Sequence, residues 1–185
     1  MVRGAVRGAR PLIPTGAASG VTEAPDVPRP GAGESPVLTD RILTVLRERA
    51  FSALERAYAP YSAFRVGAAL LGTDGSVTEG CNVENAAYPA GMCAERGALA
   101  CAVARGLRTF EAIAIATDAT EPTPPCGMCL QALAEFAPHL TVISVTRAGA
   151  TARWTLGELL PHIFAADSMS RAQVASAPVR PDLRG

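Results

Sequence analysis

The chain has 185 residues, 17 of them basic and 17 acidic, so it carries no formal net charge. A neutral chain lacks the basic excess that neutralises phosphates, which excludes a dedicated nucleic-acid binder. The length suits one domain with a good core, and no apolar run reaches 18 residues, so no membrane span is expected.

Residues 1–36 hold six Pro and six Gly, 12 of 36 positions, against 20 of the remaining 149. They carry no aromatic residue and no periodic apolar pattern, and cannot offset the entropy of ordering. Pro11 and Pro14 break any amphipathic targeting helix that Arg3, Arg7 and Arg10 suggest. A flexible tail is expected there, and another over 167–185.

The body, 37–166, is expected to fold as one domain. Thr39 suits the cap of a helix whose apolar positions Ile42, Leu43, Val45, Leu46, Ala50, Leu54 and Ala57 recur at helical spacing. Phe64 to Leu71 reads as a buried strand, turned at Thr73-Asp-Gly75 into a second strand ending near Gly80. A loop, Cys81 to Gly91, precedes a helix from Met92 to about Arg105. Phe110 to Thr117 is a strand, Cys126 to Phe136 a helix, and Leu140 to Val145 a strand. A further short strand lies near Ala152, and Trp154 to Leu160 leads into a last turn. Alternating strands and helices predict an α/β fold around one mixed sheet.

Five cysteines are too few for a disulfide scaffold, and the number is odd. Cys126-Gly-Met-Cys129 puts two thiols three apart at a helix start, where side chains at i and i+3 are neighbours. Zinc–sulfur bonds of about 2.3 Å need sulfurs roughly 3.8 Å apart, which this spacing supplies. The best candidate for a third ligand is Cys93, because Glu95 follows two residues later at another helix start. Positions i and i+2 diverge on a regular helix, so Cys93 must sit at the cap, with Pro89-Ala-Gly91 supplying the turn. Three protein ligands leave a fourth position for water, the mark of a catalytic zinc. Zn²⁺ with three thiolates is net negative, so positive groups should lie close; two helix N-termini and Arg96 meet that need. Glu95 is the candidate base for the water proton.

Cys93-Ala-Glu95-Arg96 followed by Pro125-Cys126-Gly-Met-Cys129 matches the signature of zinc deaminases acting on bases and nucleosides. Three further segments narrow the match: Tyr61-Ser-Ala-Phe64-Arg-Val-Gly-Ala-Ala-Leu, Gly80-Cys-Asn82-Val-Glu84-Asn85-Ala-Ala-Tyr88-Pro89, and Leu159-Leu-Pro161-His-Ile-Phe164. Together they resemble cytidine deaminase of the short, homotetrameric, three-Cys kind, over about residues 38–165.

The resemblance implies a three-layer fold with a mixed central sheet of about five strands flanked by helices, and one zinc per chain. It implies that Asn82 and Glu84 bind the ribose hydroxyls, and that Phe64 packs on the pyrimidine. Ala94 would offer its backbone N–H to the base carbonyl, while Tyr88 and Phe164 would serve the pockets of neighbouring subunits. The activity implied is hydrolytic deamination of cytidine and 2′-deoxycytidine in pyrimidine salvage, by a cytoplasmic homotetramer that engages neither nucleic acid nor membrane. Two other readings are a related zinc deaminase of the blasticidin-S type, and a non-catalytic zinc-stabilised module. The Asn82/Glu84 pair and the Phe64 strand speak against the first, and Glu95 with an open coordination position against the second. Cys81 and Cys101 are expected as small buried hydrophobes, and His139 and His162 as structural residues.

Overall fold

In the computed structural model, which describes residues 38–165 and Ser168, Thr39 opens the first helix as its residue type predicts. Its side-chain oxygen accepts a hydrogen bond from the Ile42 N–H at 3.4 Å. Helix α1 (Asp40–Leu54) buries Ile42, Leu46, Ala50, Ala53 and Leu54, one stripe at helical spacing. It ends at Leu54 rather than reaching Ala57, because the chain turns at Glu55. The expected tails lie, Ser168 apart, outside the described residues.

Five strands follow: β1 (Val66–Gly72), β2 (Val77–Cys81), β3 (Phe110–Thr117), β4 (Thr141–Thr146) and β5 (Thr151–Thr155). They form one sheet in the order β2-β1-β3-β4-β5. Only β3 and β4 pair in parallel; the other three pairs are antiparallel. A parallel pair needs a crossover, and α3 (Gly127–Ala134) provides it. Helix α2 (Ala94–Ala104) joins β2 to β3, and the short α4 (Leu156–Leu159) follows β5.

Alternation along the strands divides the core in two. Ala69, Leu71, Ala112, Ala114 and Ala116 face α1, whereas Ala68, Leu70, Ile113, Ile115 and Val142 face α2, α3 and α4. The result is the expected three-layer mixed sheet. Small residues let the layers close. A Cβ on Gly67 would lie 2.1 Å from the Ala50 carbonyl oxygen of α1, and one on Gly80 2.3 Å from the Ala98 nitrogen of α2. Gly80 therefore sets how near the start of α2 comes to the sheet.

Several boundaries depart from the sequence expectation. Strand β1 begins at Val66 instead of Phe64, because the Asn82 side chain takes up the backbone groups at that point. Helix α2 begins at Ala94 instead of Met92, and α3 at Gly127 instead of Cys126, since Cys93 and Cys126 are extended N-caps. Helix α3 also stops at Ala134, two residues short of Phe136. Trp154 belongs to β5 and not to the closing turn; that turn starts only after Thr155, whose hydroxyl and Glu158 form a capping box. Cys101 is exposed on α2, contrary to its expected burial, while Cys81 is half-buried.

Candidate active site

Helices α2 and α3 point their N-termini at one place. Cys93 caps α2 with φ −74° and ψ 151°, and Cys126 caps α3 with φ −69° and ψ 160°. Neither makes a side-chain cap hydrogen bond, so both sulfurs remain available beyond the helix ends. Cys129, in the first turn of α3, lies 3.5 Å from Cys126, and Cys126 lies 4.0 Å from Cys93, sulfur to sulfur. All three sulfurs fall within 4.8 Å of one another.

Those separations bracket the roughly 3.8 Å that a tetrahedral zinc–thiolate site requires. The donor chemistry agrees. Burial pushes the Cys93 and Cys129 thiols up, whereas Cys126 is held below its ordinary value, because hydrogen bonds to Cys129 outweigh its own burial. Burial thus favours the protonated form of two of the thiols; coordination to a thiophilic cation is what removes such protons. Arg96 adds positive charge. Its Nη2 donates to the Gly91 carbonyl at 3.2 Å and lies 4.0 Å from the Cys93 sulfur, which keeps the guanidinium firmly charged.

Glu95 sits one residue into α2 and is only 5% exposed. Burial raises its carboxyl above the usual range, opposed by its own backbone N–H, by Cys129 and by Arg96. A carboxyl shifted in that direction can hold and release a proton nearer neutrality.

Both groups open into one cavity of about 460 Å³. Its floor carries Cys93, Ala94, Glu95 and Cys126, and its walls include Phe64, Asn82, Glu84 and Tyr88. Glu84 is held ionised by the Ser62 hydroxyl and by the Tyr61 and Ser62 backbone N–H groups. Asn82 is engaged on both ends: Oδ1 accepts from the Val66 N–H and Nδ2 donates to the Phe64 carbonyl, each at 2.8 Å. Tyr88 is 77% exposed and meets Tyr61 edge-on at 6.3 Å between ring centroids. Phe164 lies elsewhere. Gln131 brackets its backbone, donating to the carbonyl at 2.9 Å and accepting from the N–H at 3.1 Å, and leaves the residue 62% exposed. His139 and His162 are exposed and do not join the cysteine cluster.

Sequence reasoning missed several contributors. Thr117 and Thr123 line the cavity without any motif to mark them, and Ser62 lines it from inside the Tyr61–Leu70 segment with no role assigned to it there. Thr117 is almost wholly buried, and its hydroxyl has no hydrogen-bond partner within the protein. A four-membered ionic ring lies just behind the wall. Arg65 pairs with Glu55 at 3.0 Å and Asp118 at 2.8 Å, and Arg147 pairs with the same two acids, Asp118 at 2.6 Å.

A three-layer α/β fold with a thiol triad on two helix N-termini, and a buried carboxyl beside it, defines a class of metal-dependent hydrolases. A family model for the cytidine and deoxycytidylate deaminase zinc-binding region matches residues 42–145. The chain is 46% identical over 127 residues to a cytidine deaminase of Halalkalibacterium halodurans, spanning 68% of this chain and 96% of that protein. Among solved structures it resembles the cytidine deaminase of Burkholderia pseudomallei, with 47% identity and a TM-score of 0.63 over 65% of this chain and 98% of that one. It also resembles the Mycobacterium tuberculosis cytidine deaminase, at 36% identity and a TM-score of 0.59, over 69% of this chain and 98% of that one. The chain belongs to the cytidine deaminase family of zinc-dependent hydrolases.

Proposed function

We propose that this chain hydrolyses cytidine and 2′-deoxycytidine to uridine and 2′-deoxyuridine, releasing ammonia, as a step of pyrimidine salvage. One observation carries the reading: a buried glutamate and two thiols of a three-cysteine cluster line one cavity that also has an aromatic wall. Cys93, Cys126 and Cys129 would hold one zinc per chain. When bound, zinc supplies a water polarised toward hydroxide.

The remaining chemistry belongs to the protein. Glu95 takes the proton of the attacking water as oxygen adds to C4 of the cytosine ring. It delivers that proton to ring N3, then carries the remaining proton of the added hydroxyl to the amine as the C4–N bond breaks, so water and cytidine balance as uridine and ammonia. Arg96 and the two helix N-termini offset the negative charge of the thiolates. Phe64 packs on the base, and the Ala94 N–H serves the base carbonyl. Asn82 and Glu84 meet the ribose hydroxyls. Polar groups placed at the sugar discriminate against the free base, which forgoes those contacts.

Tyr88 and Phe164 extend toward neighbouring subunits of a homotetramer, a role consistent with the exposure of their rings and of Tyr58 and Met128. No helix among the described residues is long and apolar enough to cross a membrane, which accords with a cytoplasmic setting. The deciding measurement is ammonia release, or the ultraviolet change, on cytidine beside cytosine, CMP and blasticidin S. Turnover of cytidine and 2′-deoxycytidine alone is expected. Preference for cytosine, CMP or blasticidin S would replace this reading.

A further inference from the structure

The segment between α1 and β1 is tied together by one side chain that no catalytic motif singles out. Ser62 lines the cavity beside Glu84. Its Oγ accepts a hydrogen bond from the Phe64 N–H at 3.0 Å. A serine hydroxyl has one proton, and here it goes to Glu84 Oε1. The direction of that bond is thereby fixed.

Glu84 is engaged on both oxygens. Oε2 accepts from the Tyr61 N–H at 2.8 Å and the Ser62 N–H at 3.2 Å, while Oε1 accepts from the Ser62 hydroxyl. An ionised carboxylate offers about four lone-pair sites. Three are spoken for, and the fourth is on Oε1. Between Ser62 and Phe64, Ala63 sits at φ 56°, the left-handed region that a side chain adopts only where neighbours over-determine it. Its N–H donates to the Ala59 carbonyl at 3.1 Å, so the turn is closed from both sides.

We propose that Ser62 is a positioning residue for Glu84: its hydroxyl turns the carboxylate so that the one open lone pair of Oε1 accepts a sugar hydroxyl. This rests on the reading of Glu84 as a ribose contact. It also narrows the ligand at that point, which must donate a hydrogen bond, because Glu84 has only an acceptor left to give.

Binding of the product measures this without involving the chemical step. Titration calorimetry would compare uridine with 2′,3′-dideoxyuridine on the zinc-loaded wild type and Ser62→Ala. In the variant, affinity for uridine is expected to fall about tenfold, while affinity for 2′,3′-dideoxyuridine changes less than twofold. The dideoxy ligand doubles as a control for folding, since a misfolded pocket loses both. Equal losses for the two ligands, or no loss for either, would overturn the role of Ser62. A wild type that binds the two nucleosides equally would instead remove the ribose contact itself. In the double-mutant cycle, adding Ser62→Ala to Glu84→Ala should cost less than twofold in uridine affinity. Additive losses in that cycle would again overturn the proposal.

Discussion

The two ends of the cavity are held by different means. At the metal end, Cys93, Ala94, Glu95, Cys126 and Cys129 are caps or first-turn residues of two helices packed on the sheet. Their positions follow from regular backbone geometry, and Gly80 lets α2 approach closely enough to deliver them. At the end proposed for the sugar, Phe64 and Glu84 lie on irregular backbone, where side-chain hydrogen bonds from Asn82, Ser62 and Glu84 itself take the place of a strand ladder. The lesson is a division of labour. The proposed proton transfer needs a rigid, desolvated carboxyl, which a helix N-terminus holds; the proposed sugar recognition needs polar groups at the surface, which a stitched loop holds.

A substitution at each end should therefore fail in a different way. Glu95→Gln keeps the volume and removes only the capacity to carry a proton. It should retain metal content and melting temperature while kcat falls on the order of 10²–10⁴-fold. Metal analysis beside ammonia release tests this. Turnover near the wild-type rate would take Glu95 out of the mechanism.

Asn82→Ala should act on both structure and binding. The amide serves as a surrogate strand for the Phe64 carbonyl and Val66 N–H, and losing it leaves two backbone groups without their partner. Each such loss costs about 1–3 kcal/mol when buried, less when water can replace the partner. A drop in ligand-free stability of about 2 kcal/mol is expected together with a raised KM. Chemical denaturation of the ligand-free protein is the measurement. Unchanged stability with a raised KM would mean that Asn82 serves the ligand alone, and the contrast between the two ends would weaken.

The same contrast explains what the sequence could reveal. Cys126 and Cys129 lie three apart and Cys93 two before Glu95, so helical geometry ties local spacing to a site. The core stripe of α1 is legible from its helical spacing, and β1 and β3 from short apolar runs that end up buried on both faces. Contacts between distant segments leave no periodic trace. Asn82 reaches back 16 and 18 residues, Ser62 meets Glu84 across 22, and Arg147 meets Glu55 across 92. The Phe64 run reads as a strand because, Arg65 apart, it is apolar, but Asn82 takes up the Phe64 carbonyl and the Val66 N–H, so the ladder starts only at Val66. Trp154 carries no strand signal because β5 is a five-residue edge strand with every position exposed or half-buried.

The ionic ring offers the mildest probe of the stitched end. Arg65 stands between Phe64 and Val66, and Asp118 follows Thr117, so the ring braces two cavity walls from behind. Glu55 is held below its ordinary range, first by the Arg147 hydrogen bond and further by Arg65. Asp118 is also lowered, since both guanidinium groups outweigh the opposing effect of its burial. A depressed carboxyl stabilises the fold above its unfolded value, near pH 4, and the benefit is lost as pH falls through the lower folded value. The ring is largely exposed, so its contribution is small and screened by salt. Thermal melts of the wild type and Glu55→Gln should differ slightly at pH 7 and converge below about pH 4, or in molar salt. A gap that persists in acid and in high salt would mean that Glu55 acts through packing around the α1 terminus, leaving the hydrogen bonds of Asn82 and Ser62 to hold the sugar end without ionic help.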